Sequence, residues 1–591
     1  MRKGATALSD KKAPRGTVKK LLRALRPYRG RLLFSLLCSA VNAGLSLYIP
    51  LLFGRCIDLI VGPHNVDTQG VKNKLLLSGA LILISALGAY LAAAENNRVT
   101  QSVIRDLRNG AFRKIQILPL SYLDSHPSGD TLSRVVNDVD RFADGLLLGF
   151  TQFFSGVITI VGTLALLFSL SWQVALTVVL LTPLSLVTAH LIAHRSFRYF
   201  QRQASIRGSL TALTEETVGN LKTVKAFGQE ENAGRRFDEV NGELKSASLK
   251  AIFISSISNP GTRFVNALVY AGVAITGAFS VLGVLGGGLT VGLLVSALGF
   301  ANQYTKPFNE ISSVFAEMQN ALTCFSRVRE LTDAPAEPPD PPEAADIGRA
   351  QGNVELKDVA FSYDKSREFI KGFDLSVLKG QKAAIVGTTG CGKTTVINLL
   401  MRFYEIDGGE ILLDGTDIRS ITKKSLRGNV GMVLQDTWLK NASVRENLLE
   451  GRPDASDEEM IAAAKRTHAH SFIKRLPQGY DTVLGEDGGS LSQGQKQLLC
   501  ITRAMLADPN ILILDEATSS IDLATEIKVQ KAFDELTAGR TCFIVAHRLS
   551  TVMHCDVIAV MDGGKIVEKG THEALLAQGG YYAKLWASRS C

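Results

Sequence analysis

Cysteine is scarce in this sequence, and nothing in its spacing suggests metal binding or cross-linking. The 591 residues hold 8 cysteines, with no CxxC pair and no metal-like interval, which argues against a zinc module or a disulfide framework. Cys38 and Cys56 fall in the first apolar run and the others in segments that read as cytosolic, the pattern of free buried thiols in a reducing compartment. Cys591 ends the chain, whereas a prenylation box needs its cysteine three residues earlier. No cleavable signal is expected, because the first apolar stretch is too long and lacks a small-residue cleavage site. Proline is missing from the whole stretch 195–250. Apolar residues recur in it at helical spacing, so the membrane helices are expected to continue well into the cytosol, a small inserted helical domain being the alternative.

Acidic residues are nearly absent from the first 31 positions. Arg2, Lys3, Lys11, Lys12, Arg15, Lys19, Lys20, Arg23, Arg26, Arg29 and Arg31 face a lone Asp10. The formal net charge of +9 would suit nucleic acid, but this basic arm runs straight into an apolar run, the positive-inside pattern of a membrane protein. No nucleic-acid partner is expected.

Six apolar runs of membrane-crossing length occur at about 32–60, 75–94, 146–169, 174–192, 265–285 and 289–304. The links 63–73, 171–172 and 286–288 are short and carry little positive charge, while 98–141 and 195–263 are long and rich in Lys and Arg. Charge alternates loop by loop, which places both termini in the cytoplasm. Residues 334–343 are rich in Pro and acid, and read as an extended linker. Beyond it, short β-branched runs alternate with helical segments, as in an α/β domain. The expected domains are a basic arm (1–31), a membrane domain with long cytosolic helical extensions (32–333), a linker (334–350) and an α/β domain (351–591).

The chemistry sits in that last domain. Gly387, Thr388, Thr389, Gly390, Cys391, Gly392, Lys393, Thr394 and Thr395 lie between an apolar strand (383–386) and a helical run (396–401). Glycines let backbone N–H groups turn toward phosphates, and a helix N-terminus adds partial positive charge. Lys393 suits the β- and γ-phosphates, and the Thr394 hydroxyl suits magnesium. Downstream, the buried run 511–514 ends in Asp515-Glu516, a magnesium partner followed by a carboxylate able to polarise water. Between them lies Leu491-Ser492-Gln493-Gly494-Gln495, opening another helical run.

With these motifs the chain resembles the ATP-binding cassette (ABC) family, and specifically its type I exporter half-transporters. The resemblance implies a multidomain membrane protein, an all-α six-helix transmembrane domain followed by an α/β P-loop NTPase. It implies that Tyr363 stacks on adenine, that Gln435 is the Q-loop glutamine contacting magnesium and water, and that residues 482–488 form the loop before the signature. Ser519, Ser520, Ile521 and Asp522 match the D-loop, and His547 the switch histidine. The signature Ser492, Gly494 and Gln495 would bind the nucleotide of a second chain, so ATP and Mg2+ would be held between two subunits. In the membrane half, Ser128-Gly129-Asp130 through Asp138, and Glu215 through Phe227, look like the two cytosolic loops of such exporters. Closure would pass through segments near Tyr122 and Thr217. Leu289, Thr290, Gly292 and Pro307 fit the last membrane helix.

Three residues depart from the family pattern. Gln493 stands where glycine is commonest: a side chain there is either tolerated or crowds the γ-phosphate, and the departure favours a heterodimer in which this chain supplies the catalytic face through Glu516. Lys440 replaces an apolar residue. Cys391 lies beside Lys393 and a helix N-terminus, both favouring a thiolate open to maleimide. Membrane-embedded charge is almost absent, and the expected cargo is a hydrophobic or amphipathic compound, with a lipid flippase or an ATP-gated channel as alternatives. Asn42, Gln152, Asn266, Asn302 and Gln303 either line its path or bond between helices. The expected location is the cell membrane. If Glu516 orients the attacking water, Glu516→Gln should retain ATP binding while steady-state hydrolysis is almost abolished. Near wild-type turnover would remove Glu516 from that role.

Overall fold

A computed structural model describes residues 16–60, 66–284, 288–364, 368–435, 437–485, 488–489, 491–515, 522–546 and 552–589. The chain forms two compact units, Met1–Ile117 with His126–Pro335, and Leu118–Ser125 with Ala336–Cys591.

The first unit is helical: α1 (Thr17–Leu25), α2 (Arg29–Asp58), α3 (Thr68–Gln116), then α4 (Leu120–Ser125), which belongs to the other unit, α5 (Ser128–Val135), α6 (Asn137–Leu148), α7 (Phe154–Leu170), α8 (Trp172–Gly219), α9 (Leu221–Ala226), α10 (Glu230–Ser256), α11 (Ser258–Val281) and α12 (Val291–Asp333). Among the described residues, four helical segments are long and apolar enough to cross a membrane: Thr17–Asp58, Thr68–Gln116, Ser128–Leu170 and Glu230–Val281. The fourth and sixth apolar runs lie in α8 and α12, helices of 48 and 43 residues. With 49 residues, α3 extends about 70 Å, more than twice a hydrocarbon layer of roughly 30 Å. The proline-free stretch 195–250 is almost entirely helix, as its periodicity predicts.

Outward leucines such as Leu33, Leu83 and Leu180 are at least 66% exposed, a distribution suited to lipid rather than water. Inside, small and polar residues join the helices. Asp58 accepts from the Thr290 hydroxyl at 2.6 Å and from Gly292 N at 2.7 Å, and Ser296 donates to the Pro50 carbonyl at 2.9 Å. Ser85 donates to Asn42 at 2.7 Å, so this sequence-marked polar residue ties two helices together. Asn302 is exposed. In the charged part of the unit, Arg327 meets Asp130 at 2.5 Å and Asp138 at 3.1 Å, while Arg134 meets Asp130 at 2.9 Å and Glu330 at 3.2 Å.

Among the described residues the second unit holds ten strands: β1 (Val354–Phe361), β2 (Ile370–Val377), β3 (Lys382–Gly387), β4 (Gly408–Leu413), β5 (Thr416–Asp417), β6 (Val430–Val433), β7 (Ile511–Asp515), β8 (Thr541–Val545), β9 (Val557–Asp562) and β10 (Lys565–Gly570). Six form a sheet in the order β10-β9-β3-β8-β7-β6, with only β10 antiparallel. The other four form an antiparallel sheet in the order β2-β1-β4-β5. The parallel strands are buried on both faces, which is why 511–514 reads as an unbroken apolar run. Residues 336–345 are pinned to this unit. Glu337 pairs with Arg427 at 2.8 Å and with Lys423 at 3.5 Å, Asp340 lies 3.6 Å from Arg402, and Ala345 bridges to Ile421. The acidity that marks this segment as a linker is what attaches it.

At one crossing α2 and α12 touch backbone to backbone: a Cβ on Gly292 would sit 1.9 Å from the Gly54 carbonyl oxygen. Gly292→Ala should cost about 1–3 kcal/mol by overpacking, read as a lowered melting temperature of the purified protein. Gly288→Ala, where nothing lies within 4 Å of the added carbon, should leave it unchanged.

Candidate nucleotide site and membrane cavity

The carboxyl ends of β3, β8, β7 and β6 meet along one sheet edge, where ligands of parallel α/β sheets bind. β3 ends at Gly387, and α13 (Lys393–Leu400) begins six residues later. A Cβ on Gly387 would lie 2.3 Å from the Met561 carbonyl oxygen, and one on Gly392 would lie 2.7 Å from Ile370. Gly390 and Gly392 have φ of 83° and 109°, left-handed values that favour glycine. Thr388, Thr389 and Gly390 are exposed, leaving the rim of the loop open ahead of a helix N-terminus. Lys393 has a buried stem, and its Nζ donates to the Gly387 and Thr388 carbonyls at 3.1 and 3.0 Å. The two threonines differ. Thr394 is exposed, whereas Thr395 is buried and shares a hydrogen bond with the Tyr363 hydroxyl at 2.9 Å.

Cys391 does not match the expected reactive thiol. It is 4% exposed, packed in the apolar cluster beneath the loop, with Sγ 2.7 Å from where a Gly387 Cβ would be. Lys393 Nζ does lie 4.0 Å away, but enclosure keeps a maleimide out.

Tyr363 is 51% exposed, in keeping with a ring face free for stacking. Its edge contacts are Phe361 at 4.8 Å, Tyr404 at 5.2 Å and Phe369 at 5.5 Å between centroids. Tyr404 in turn donates to the Asp124 carboxylate on α4, and burial together with that carboxylate pushes its phenol up. This pair joins residues 280 positions apart, and no sequence signal marks it.

β6 and β7 run side by side, with Val433 paired to Leu514. The exposed Gln435 follows the first, and the half-buried Asp515 ends the second beside Val545. Glu516, Ser519, Ser520, Ile521 and His547 lie outside the described residues. The strands leading to Glu516 and His547 end on the same edge. Asp522 caps the helix Leu523–Thr537, accepting from Thr525 N at 2.9 Å, a bond that lowers its carboxyl pKa. Among the described residues no group of three or more His, Cys, Asp or Glu could hold a metal. The donor set of a hydroxyl, one carboxylate and one amide still fits Mg2+, which takes few protein ligands when phosphate oxygens supply the others.

Ser492 caps the helix Gln493–Ala507 in a reciprocal capping box. Gln495 N donates to the Ser492 hydroxyl at 3.3 Å, and Ser492 N donates to Gln495 Oε1 at 2.9 Å. The serine hydroxyl proton therefore remains available to an outside acceptor. Gly494 is buried. Gln493 turns its Nε2 to Thr437 Oγ1 at 3.2 Å, so the departure from glycine links the signature to the segment after Gln435. Lys440 lies 3.8 Å from Glu450.

In the helical unit, a cavity of about 360 Å³ is lined by Gln152, Gln303 and Lys306 among others. Residues Gly149–Phe153, bordering it, are wound as a π-helix, a form frequent at functional sites. Gln303 Oε1 is buried without a partner. Pro307 also removes the N–H that would otherwise bond the Gln303 carbonyl. Lys306 does not stand out in the sequence because it lies two residues past the last apolar run.

If the Gln493–Thr437 bond holds the signature helix to the glutamine segment, Gln493→Leu and Thr437→Val should be coupled. The double variant should be more stable than additivity predicts by about 1 kcal/mol, measured by denaturant unfolding. Strict additivity would show that the bond contributes nothing.

Comparison with known proteins agrees with this geometry. Residues 32–308 match the family description "ABC transporter transmembrane region", and residues 370–519 match "ABC transporter". The chain is 38% identical over 589 residues to the uncharacterized ABC transporter ATP-binding protein YfiC of Bacillus subtilis (strain 168), covering 100% of this chain and 96% of that one. It is 40% identical over 527 residues to the fatty acid ABC transporter ATP-binding/permease protein of Mycobacterium tuberculosis (strain CDC 1551 / Oshkosh), covering 89% and 83%. A solved structure of a bacterial Atm1-family ABC exporter with ATP bound superposes with a TM-score of 0.75 at 30% identity, covering 96% of this chain and 99% of that one. The chain therefore belongs to the ABC transporter family, as a membrane-embedded exporter half-transporter that binds ATP and couples its hydrolysis to transport.

Proposed function

We propose that this chain exports an amphiphile with an acidic headgroup across the cell membrane, as one subunit of a two-chain exporter. The observation that carries this reading is Lys306, a cation lining a polar cavity with Gln152 and the partnerless Gln303 oxygen. An ionisable group next to a membrane span marks a substrate path unless it is paired. Among the described residues Lys306 is in no ion pair. A carboxylate or phosphate head would be held by Lys306 and the two glutamines while the apolar tail lies among the helices. The fatty acid transporter of Mycobacterium, similar over most of this chain, fits such a cargo.

In this reading the chain crosses the membrane six times, with the arm 1–31, the linker 334–350 and the ATPase domain 351–591 on the cytoplasmic side, as the alternating loop charge requires. The Gly387–Thr395 loop holds the phosphates, and Lys393 leaves its two carbonyls to meet the β- and γ-oxygens. Thr394, Asp515 and Gln435 would hold Mg2+, whose positive charge would be supplied beside the phosphates. Glu516 orients water, His547 stabilises the transferred γ-phosphate, and Tyr363 stacks on adenine. Ser492, Gly494 and Gln495, with Asp522, face the nucleotide of the other chain. Exposed Val218, Leu221 and Phe227 form an apolar turn around α9 suited to cover by that second chain. We assign the partner as a different half-transporter, because Gln493 places a side chain where two identical signatures would both need close backbone approach to phosphate.

The test is ATPase activity in vesicles, with the chain alone and with a candidate second half-transporter, in the presence of a long-chain carboxylate or its methyl ester. The acid should stimulate turnover several-fold and the ester should not, and Lys306→Gln should abolish the difference. Equal stimulation by acid and ester would overturn the headgroup assignment. Strong stimulated turnover by the chain alone would overturn the two-chain assignment.

A further inference from the structure

The amino-terminal arm enters the membrane region through a short helix attached along one side only. Leu25 is buried against Val99, Phe142 and Phe325. Lys20 pairs with Asp333 at 2.8 Å, and the Tyr28 hydroxyl donates to Asp106 at 2.5 Å. These bonds anchor α1 and the turn Arg26–Tyr28 to α3 and α12. The other side borders a groove of about 550 Å³ whose lining includes Leu32, Leu36 and Phe154 together with Arg23, Arg26 and Arg29. All three arginines are exposed, and among the described residues none of them is in an ion pair. Among the described residues no carboxylate neutralises them.

We propose that this groove binds one anionic phospholipid of the inner leaflet, with its phosphate on Arg23, Arg26 and Arg29 and an acyl chain along Leu32, Leu36 and Phe154. Two features combine. The groove is apolar where α2 enters the hydrocarbon, and cationic where the chain emerges at the headgroup level, a polarity that matches a phospholipid from end to end. Guanidinium groups also donate paired N–H bonds to phosphate oxygens in bidentate geometry, which favours a fixed site over diffuse attraction. A soluble anion would satisfy the arginines but leave the apolar half of the groove unfilled. The placement of the groove rests on the cytoplasmic position of the arm proposed above. The cavity containing Lys306 has a different lining, so the two spaces are separate sites.

The experiment is lipid retention by native mass spectrometry of the full chain, purified from vesicles of phosphatidylcholine containing phosphatidylglycerol. It requires no transport and no nucleotide turnover, so its result stands whether or not the cargo assignment does. The wild-type chain should retain phosphatidylglycerol over phosphatidylcholine, and Arg23→Gln/Arg26→Gln/Arg29→Gln should reduce that preference by about tenfold. Leu36→Trp, which fills the apolar half and leaves every charge in place, should also reduce it. Excess inorganic phosphate should not displace the lipid. Unchanged preference in the triple variant would overturn the proposal, as would full retention by a correctly folded Leu36→Trp protein. Displacement by inorganic phosphate would reassign the arginines to a free anion. Melting temperatures of both variants confirm that each reading comes from folded protein.

Discussion

Hydrocarbon offers no partner to a peptide N–H or C=O, and the helical unit is organised around that fact. Among the described residues the six long apolar runs lie mainly in helices, which meet through apolar clusters such as Leu47, Leu167, Val269 and Phe300 and, at their closest crossings, through small residues and short polar bridges. The backbone contact of Gly54 with Gly292, the Asp58 carboxylate on Thr290 and Gly292, and the Ser85–Asn42 bond all follow from it. Where the rule is relaxed, at the π-helical turn Gly149–Phe153 and at Pro307, freed polar groups line a cavity. Irregular backbone at membrane depth is tolerated where it borders polar space, and that is where Lys306 and Gln303 lie.

The ATP-binding unit follows a different constraint. Its parallel strands must be covered on both faces, so the only edge open to a ligand is the one where their carboxyl ends emerge. Gly387, Gln435 and Asp515 reach that edge from three strands. The glycines are there for steric reasons as much as flexible ones, since a Cβ at Gly387 or Gly392 would run into neighbouring atoms. The signature is prepared in a similar way: its serine and glutamine cap each other, which fixes the helix N-terminus before any phosphate arrives. Tyr404 then connects the aromatic cluster around Tyr363 to Asp124 on α4. Tyr363 is thus two side-chain contacts from Asp124.

Much of this was legible in the sequence because its signals are local. A nine-residue glycine loop between a strand and a helix, an acidic pair after a buried run, and charge that alternates between loops each operate within a few residues. The helical stretch 195–250 was legible for the same reason, since periodicity and missing proline are properties of the chain itself. The family and its ATP chemistry follow from these signals, and the comparisons agree.

What the sequence by itself determined was the chemical inventory: which residues can cradle phosphate, which runs can enter lipid, and in what order. Tertiary structure alone decided how those residues are used. It turned Cys391 inward, into the apolar cluster beneath the loop, and it gave Thr395 to Tyr363 while leaving Thr394 open. It also turned Gln493 onto Thr437, brought Tyr404 to Asp124, and opened the spaces beside Lys306 and beside the arginines of the arm. Each of these outcomes depends on which side chains from distant parts of the chain occupy the same few ångströms, and burial, pairing and open volume arise only when those parts meet.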